Sequence, residues 1–417
     1  MTQAPLRRVL MVAYHFPPLA GSSGIQRTLR FVQHLPALGW QPLVLTADPR
    51  AYERTSPDLL PDVPEGTVVR RAFALDTARQ LSWKGRYLDA LARPDRWMSW
   101  RFDGVRQGLQ LIREFKPELI WSTYPIPTAH RIGLELHRRS GLPWVADFRD
   151  PMAQDGYPAD PRLWAAYKDL ESRAAAAAAR CVFTTPGAAR EYRERYPERA
   201  ERMVVIENGY DEESFARVEA AGAPVAPLIP GAVTLLHSGV VYSQERDPTQ
   251  LLEALQRLKT GGAIAADNFR IRFRASAAED LLHGLAKRLD VDDLIETLPP
   301  TPYAEALHEM RCADGLLLMQ SAGCNEQIPA KSYEYLRAGR PILGLTDPAG
   351  DTAGVLRQAG LSAIHPLDQT DAIASGLLEF VSALRAGRAA AASAQAVREA
   401  SRHGRSHALA ALFDSLA

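Results

Sequence analysis

Asn325-Glu326-Gln327-Ile328-Pro329-Ala330-Lys331-Ser332-Tyr333-Glu334-Tyr335-Leu336 runs on through Ala338-Gly339-Arg340-Pro341 into the apolar pair Ile342-Leu343. A polar loop leads into a helix carrying Lys331 and Glu334, Gly339 stops the helix, and a strand begins at Pro341. This is the loop–helix–strand unit of an α/β protein. A helix start with a cation beside it suits a diphosphate, and a carboxylate one turn further in suits the hydroxyls of a ribose. Charges on a solvated helix face explain the same window without any ligand, so the rest of the chain must decide.

Working outward, short apolar runs alternate with helical spacing in both directions. In the first half, strands are expected at residues 9–13, 42–46, 119–122, 144–147, 181–185 and 203–206. Ile25, Leu29, Val32 and Leu35 mark one face of a helix, and another helix is expected over residues 129–139. In the second half, strands are expected at 233–237, 269–274, 295–298, 315–319 and 341–345. Strand, helix, strand at this spacing predicts parallel sheets with right-handed crossovers. Between the halves, residues 216–231 lose periodicity and carry Pro224, Pro227 and Pro230, which reads as a linker. The expected fold is therefore α/β, with two Rossmann-like doubly wound domains, 1–215 and 232–400, facing a central cleft. Residues 401–417 are expected to form a C-terminal helix packing back on the first domain. Ligands in such folds bind where strand C-termini meet the cleft. The Ala-rich stretches 174–179 and 386–400 are predicted to be helical.

Composition excludes several function classes. At 417 residues two domains are the natural expectation. Forty-nine basic residues balance forty-nine acidic ones, so nothing global points to nucleic acid. Cys181, Cys312 and Cys324 are too scattered for a disulfide framework or a metal site. No run approaches the ~18 apolar residues of a membrane span, and the N-terminus lacks a signal-peptide pattern. The expected location is cytoplasmic. Residues 83–101 interleave Trp83, Trp97 and Trp100 with Lys84, Arg86, Arg93, Arg96 and Arg101, a pattern suited to peripheral contact with an anionic inner membrane face. A helix packing its Trp side chains on a neighbour is the plainer alternative.

Three further constellations carry chemistry. Tyr14-His15-Phe16-Pro17-Pro18-Leu19-Ala20-Gly21-Ser22-Ser23-Gly24 joins the first strand to the first helix. Small residues let backbone N–H groups approach an anion there, and Arg27 is a first-turn cation with no helix-dipole reason to be there, which a ligand would supply. The glycines lack a dinucleotide-binding spacing. Asp147-Phe148-Arg149-Asp150-Pro151 places three charges at a strand C-terminus, and buried charges need partners. His130 follows the preceding strand and is a candidate for the same site, although a lone helical His is more often structural. His237-Ser238-Gly239-Val240-Val241-Tyr242 with Arg246-Asp247-Pro248 opens the second half, where Gly239 permits close approach and Arg246 can reach a phosphate.

Taken in order over residues 9–360, these strings resemble the retaining GT-B glycosyltransferases of family four, of the bacterial polysaccharide or glycoconjugate type. Asn208-Gly209-Tyr210-Asp211 is similar to the string that precedes their interdomain linker. The resemblance implies transfer of a sugar from a nucleotide-diphosphate donor to an acceptor hydroxyl with retention. It implies Arg246, Lys331, Glu326 and Asp150 as catalytic candidates. Gly239, Glu334, Asn325, Ser332, Pro300, Gly21 and Gly24 fall on the donor, and His15, Ser22, Arg27, His130 and Arg149 on the acceptor or sugar. Glu334 matches the second of the family's paired glutamates; Glu326 or Asn325 matches the first. Val240 replaces the Arg usual after the glycine, which leaves Arg246 and Lys331 to neutralise the diphosphate. No cofactor or metal is expected. The expected partners are a nucleotide sugar and a glycan or lipid-linked acceptor, with no nucleic acid. A sugar-nucleotide epimerase and a non-catalytic sugar-nucleotide-binding protein are the competing readings.

Overall fold

The computed structural model describes residues 6–22, 24–243 and 245–417; Ser23 of the small-residue loop lies outside them. The chain divides into two compact units, Met1–Glu207 with Arg402–Ala417, and Asn208–Ser401.

The first unit holds β1 (Arg7–Val12), β2 (Trp40–Ala47), β3 (Val68–Ala72), β4 (Leu119–Thr123), β5 (Trp144–Arg149), β6 (Arg180–Phe183) and β7 (Met203–Val205). All pair in parallel, in the order β3-β2-β1-β4-β5-β6-β7. Both faces are covered, which is why the strands read as continuous apolar runs. Leu10, Val12, Leu43, Leu45, Ile120, Trp144 and Phe148 fill one face. Val9, Met11, Val44, Leu119, Trp121 and Val145 fill the other, beneath Leu29 and Val32 of the helix Gly24–His34. The C-terminal helix Arg402–Asp414 adds Leu409, Ala410 and Phe413 to that second face. Its Phe413 ring meets Trp40 edge-on at 5.4 Å, and Trp40 Nε1 donates to Asp414 Oδ1 at 3.0 Å. β3 went unforeseen because its half-buried Val-Val-Arg-Arg-Ala sequence, at the sheet edge, breaks the apolar period.

The second unit holds β8 (Val233–Ser238), β9 (Phe269–Arg274), β10 (Ile295–Leu298), β11 (Gly315–Met319), β12 (Ile342–Leu345) and β13 (Ile364–His365). They are again all parallel, in the order β10-β9-β8-β11-β12-β13. Each sheet thus reverses its winding beside its first strand, between β1 and β4 and between β8 and β11, which is where such folds bind ligands.

Two boundaries differ from expectation. The linker expected at 216–231 lies inside the second unit, because the helix Glu212–Ala220 is anchored there. Phe215 and Val218 enter its core, and Arg337 forks onto Glu212 at 2.7 and 2.8 Å. Residues 386–400 are not one helix. Gly387, in the left-handed region at φ 65°, follows the end of Thr370–Arg385, and Ser393 caps a separate short helix, Ala394–Glu399.

Candidate active site

In the first unit the site candidates gather at the C-terminal ends of β1, β4 and β5. Asp147 is buried within β5 and accepts from Arg27 Nη2 at 2.9 Å, Arg27 Nε at 3.0 Å and Thr123 Oγ1 at 2.8 Å. Burial alone would raise its carboxyl; the Arg27 guanidinium, with Arg149 and Thr123, outweighs this and holds it below the usual carboxylate range. Arg27 also donates to the carbonyls of Ile206 and Glu207 at 2.9 and 3.1 Å. Every nitrogen of its guanidinium is therefore engaged by protein. The expectation that Arg27 meets acceptor or sugar is corrected: a buried counter-charge explains its place in the first helical turn.

Arg149 sits at φ 62°, where the pairing of β5 with β6 shifts register between Asp147 and Arg149. That irregularity re-aims the strand end. Its Nε donates to Thr123 Oγ1 at 2.9 Å and Nη2 to the Gly24 carbonyl at 3.2 Å. His15 packs beside it, with Nδ1 3.2 Å from Ser22 Oγ. Burial, then the Arg149 charge, lowers His15 to about 3, so its imidazole is neutral at pH 7. Gly24 is what allows this crowding, since a Cβ there would lie 2.4 Å from His15 Nδ1 and 3.0 Å from Arg149 Nη1. Gly24→Ala is accordingly expected to displace both side chains and to lower kcat/KM by about tenfold or more, as a misplacement near 1 Å does. Melting should move by only a few degrees, which thermal unfolding beside steady-state kinetics checks. Gly21, exposed at φ 79°, supplies the turn before it.

His130 is corrected as well. It is fully buried, its Nδ1 lies 2.8 Å from Ser122 Oγ, and its ring sits 4.8 Å from Phe148 and 6.1 Å from Trp144. Burial lowers it to about 3. It is a neutral core residue that no acceptor touches.

Asp150 stands exposed at the start of the following loop, 3.4 Å from Thr184 Oγ1. That loop is braced by a residue no motif revealed. Glu171, buried in the helix Pro161–Ala177, accepts from Ala153 N at 3.0 Å, Tyr192 Oη at 2.5 Å, Tyr196 Oη at 2.6 Å and Arg195 Nη1 at 2.7 Å. Apart from Lys168, one helical turn back at 3.0 Å, these partners come from 18 to 25 residues away, so no local pattern points to the whole set.

In the second unit the candidates gather at the ends of β8 and β11. Lys331 opens the helix Lys331–Ala338, and its Nζ lies 3.0 Å from Nε2 of buried His237. His237 Nδ1 lies 2.9 Å from the Leu317 carbonyl. A carbonyl only accepts, so Nδ1 carries the proton and Nε2 accepts from the lysine. Burial, then the charge of Arg246, lowers Lys331 to about 7, with Glu334 opposing. Burial and the Lys331 charge hold His237 well below its ordinary value. Gly239, at φ 114°, leaves the room: a Cβ there would meet Lys331 Nζ at 3.1 Å. Arg246 Nη1 donates to the Val240 carbonyl at 2.6 Å, and its guanidinium lies 5.1 Å from the Tyr242 ring centre.

Glu334, one turn along the same helix, accepts from Tyr303 Oη at 2.7 Å. Tyr335 Oη accepts from Ser238 N at 2.8 Å, which ties that helix to the end of β8. Ser332 departs from expectation. Its side chain is fully buried and its N–H closes a turn on the Pro329 carbonyl at 2.9 Å, so it does not face a donor. Asn325 Nδ2 donates to Asp347 Oδ2 at 2.6 Å, bracing one loop against the next, whereas neighbouring Glu326 is exposed. Gln320, also missed, fixes that loop by donating to the carbonyls of Cys324 and Gln327 at 2.8 and 3.1 Å. Pro300 is exposed after β10. A cavity of about 840 Å³ adjoins this group of candidates through Tyr303 and is lined also by Val218, Pro224, Leu228, His308 and Cys312. Among the described residues no group of three or more His, Cys, Asp or Glu is placed to hold a metal ion.

Residues 23–209 match the family described as glycosyl transferase 4-like domain. HepE from Anabaena, solved with UDP, is 13% identical and superposes with a TM-score of 0.63 over 99% of this chain and 100% of that one. The chain has a GT-B fold, and residues 23–209 are similar to a glycosyl transferase 4-like domain. The lipopolysaccharide outer core galactosyltransferase WaaB shares the fold at a TM-score of 0.63 and 10% identity, over 98% of this chain and 100% of its own. Sucrose-phosphate synthase from Thermosynechococcus elongatus does so at 0.59 and 14%, over 98% and 99%. No curated protein sequence matches significantly. On the GT-B fold the Lys331, Arg246 and Glu334 group occupies the end of the second unit's first strand and the helix after its fourth.

Proposed function

We propose that the protein transfers a hexosyl group, with retention, from a nucleoside-diphosphate sugar to an acceptor hydroxyl, in synthesis of a bacterial cell-surface polysaccharide or glycoconjugate. The observation that carries this reading is the Lys331–His237 contact beside Arg246, with Glu334 one helical turn away. Breaking the bond to the anomeric carbon leaves negative charge on the departing diphosphate. Arg246 and the Lys331 amine, which a bound diphosphate recharges, are held without reorganisation and stabilise that charge most where it develops. Glu334, oriented by Tyr303, takes the ribose hydroxyls. Glu326 is the better candidate for the donor sugar, because Asn325 is committed to Asp347. The departing diphosphate itself takes the acceptor proton in a front-face reaction. His15, Ser22, Arg149 and Asp150 of the first unit supply the acceptor side. UDP on the HepE fold supports a uridine sugar as the first donor to try.

The test is incubation with UDP, GDP, dTDP and ADP sugars, with and without glycan and lipid-linked acceptors, reading nucleoside diphosphate release and the product anomer by NMR. Release that depends on acceptor, with the donor's anomeric configuration kept, supports the reading. An epimerised nucleotide sugar without transfer, or binding without turnover, refutes it.

Lys331 also sets a pH dependence. Its folded-state value near 7 lies below the ordinary 10.5, so the free protein binds fewer protons than the unfolded chain between those values. This group's contribution to stability therefore rises with pH across that window. A bound diphosphate restores the charged amine, so donor binding takes up a proton above pH 7. Affinity for a nucleoside diphosphate should fall as pH rises from 7 to 9, by up to about tenfold per unit. Titration calorimetry in buffers of different ionisation enthalpy reads that proton directly.

A further inference from the structure

The sequence pattern over residues 83–101 separates in the structure into two parts with different roles. Trp100 is fully buried, and Trp97 packs on Tyr14 at 4.7 Å between ring centres while its Nε1 donates to the Ala51 carbonyl. Those tryptophans belong to the core of the first unit. Arg96 is likewise committed, to Asp76 and Glu53, and Arg93 to Asp89. What stands in solvent is a neighbouring projection. Trp83 is 80% exposed and Leu88 72%, with Leu81, Tyr87 and Leu91 exposed beside them in sequence.

The projection is built as a tight reversal. Trp83 and Arg86 exchange both backbone hydrogen bonds, at 2.7 and 3.0 Å, around Lys84 at φ 49° and Gly85 at φ 75°. Two successive left-handed residues make the two-residue turn that matches strand twist. It sets Lys84 at its apex and Trp83 and Arg86 at its base. Neither Lys84 nor Arg86 makes an ion pair among the described residues, and Asp89, the acidic residue of this stretch, is neutralised by Arg93. The chain as a whole has no net charge, so this positive tip is a local feature.

We propose that the tip formed by residues 81–91 docks the first unit on an anionic lipid surface, with Trp83, Tyr87, Leu88 and Leu91 entering the interfacial layer and Lys84 and Arg86 meeting lipid phosphates. The chemistry on both sides is complementary. A Trp at the interface buries an apolar ring and leaves its N–H in the wet layer. Juxtaposed cations are attracted by the negative surface potential and screened by salt. A second copy of this chain is a poorer occupant, because tip to tip it would bring two positive ends together, and a chain with no net charge offers the tip no long-range attraction. The inference rests on the first unit alone and is independent of the transfer reading.

The experiment is co-sedimentation of the full chain with vesicles of phosphatidylcholine alone and of phosphatidylcholine with phosphatidylglycerol, at low and physiological salt. The expected result is binding to the anionic vesicles only, weakened by salt. Lys84→Ala with Arg86→Ala should lower the partition coefficient by about thirtyfold, from two lost surface charges. Trp83→Ser with Leu88→Ser should lower it by at least about tenfold. These positions are exposed, so melting of each variant should stay within a degree or two, which separates lost docking from lost folding. The proposal is overturned by equal binding to both vesicle types, by no binding, or by undiminished binding of either double variant. It is equally overturned if gel filtration shows a dimer that only the Trp83 and Leu88 variant dissociates, because a protein surface is then the occupant.

Discussion

Lys331→Ala is expected to lower kcat for glycosyl transfer by about a hundredfold while leaving the fold intact, the scale seen when one preorganised charge stabiliser is removed from a site. The loss should fall on kcat more than on KM, because the amine matters most once the diphosphate has begun to leave. Its lowered proton affinity shows that the surroundings already disfavour the charged form in the free protein. Removing it therefore costs little stability, and His237 Nε2 loses a donor that water can replace. Lys331→Arg should recover only part of the rate. Gly239 lies so close that a hypothetical Cβ there comes 3.1 Å from the amine, and a planar guanidinium does not fit the same space. A folded Lys331→Ala variant with unchanged kcat would remove Lys331 from the mechanism.

Asp147→Ala is expected to produce the largest stability loss, on the order of 3–5 kcal/mol, because it strands the buried Arg27 guanidinium and weakens the seat of Arg149. The carboxylate ties together three pieces of the first unit through Arg27: the first helix, β5 and the segment after β7. Replacing both partners, Arg27→Met with Asp147→Leu, should recover much of the loss, since an apolar pair avoids the desolvation cost. Thermal unfolding of the single and double variants checks this, following the first unit's transition because two units need not unfold together. The wild-type pair also predicts acid sensitivity. Asp147 is held below its ordinary value, so its contribution is present above the unfolded value near 4 and is lost as pH falls through the folded value. A change below about 1 kcal/mol in Asp147→Ala would mean the pair is structurally idle.

Much of the architecture was legible because both sheets are parallel and buried on both faces. Runs such as Leu316-Leu317-Leu318 have no other plausible environment. The edge strands β3 and β13 were not legible, one half-polar and the other two residues long. The domain boundary was misplaced because proline content marks loss of periodicity, not the point where contacts stop crossing. Phe215 and Arg337 show that helix 212–220 had already joined the second unit. Among site residues, the glycines at 24 and 239 were readable as places of close approach, and the structure supplies what approaches them, His15 and Lys331. Arg27 and His130 were misread for a common reason. A sequence shows that a charged or titratable group sits near a strand end, but not whether another buried group already satisfies it. Glu171 and Tyr303 act mainly through partners 18 or more residues away, and Gln320 through main-chain carbonyls of an irregular loop, so no residue pattern announces them.

The central claim is that the end of β8 and the start of helix 331–338 bind the diphosphate of a nucleotide sugar. The most direct measurement is the thermal shift of the wild-type protein and of Lys331→Ala with UDP, GDP, dTDP and ADP, beside the corresponding nucleosides. At a hundredfold excess over Kd a ligand bound only by the native state adds about 2.7 kcal/mol. The account predicts such a rise for at least one diphosphate with the wild type, a much smaller one for its nucleoside, and a reduced difference in Lys331→Ala, where Arg246 remains. Equal shifts with nucleoside and diphosphate, or a diphosphate shift undiminished in Lys331→Ala, would contradict it.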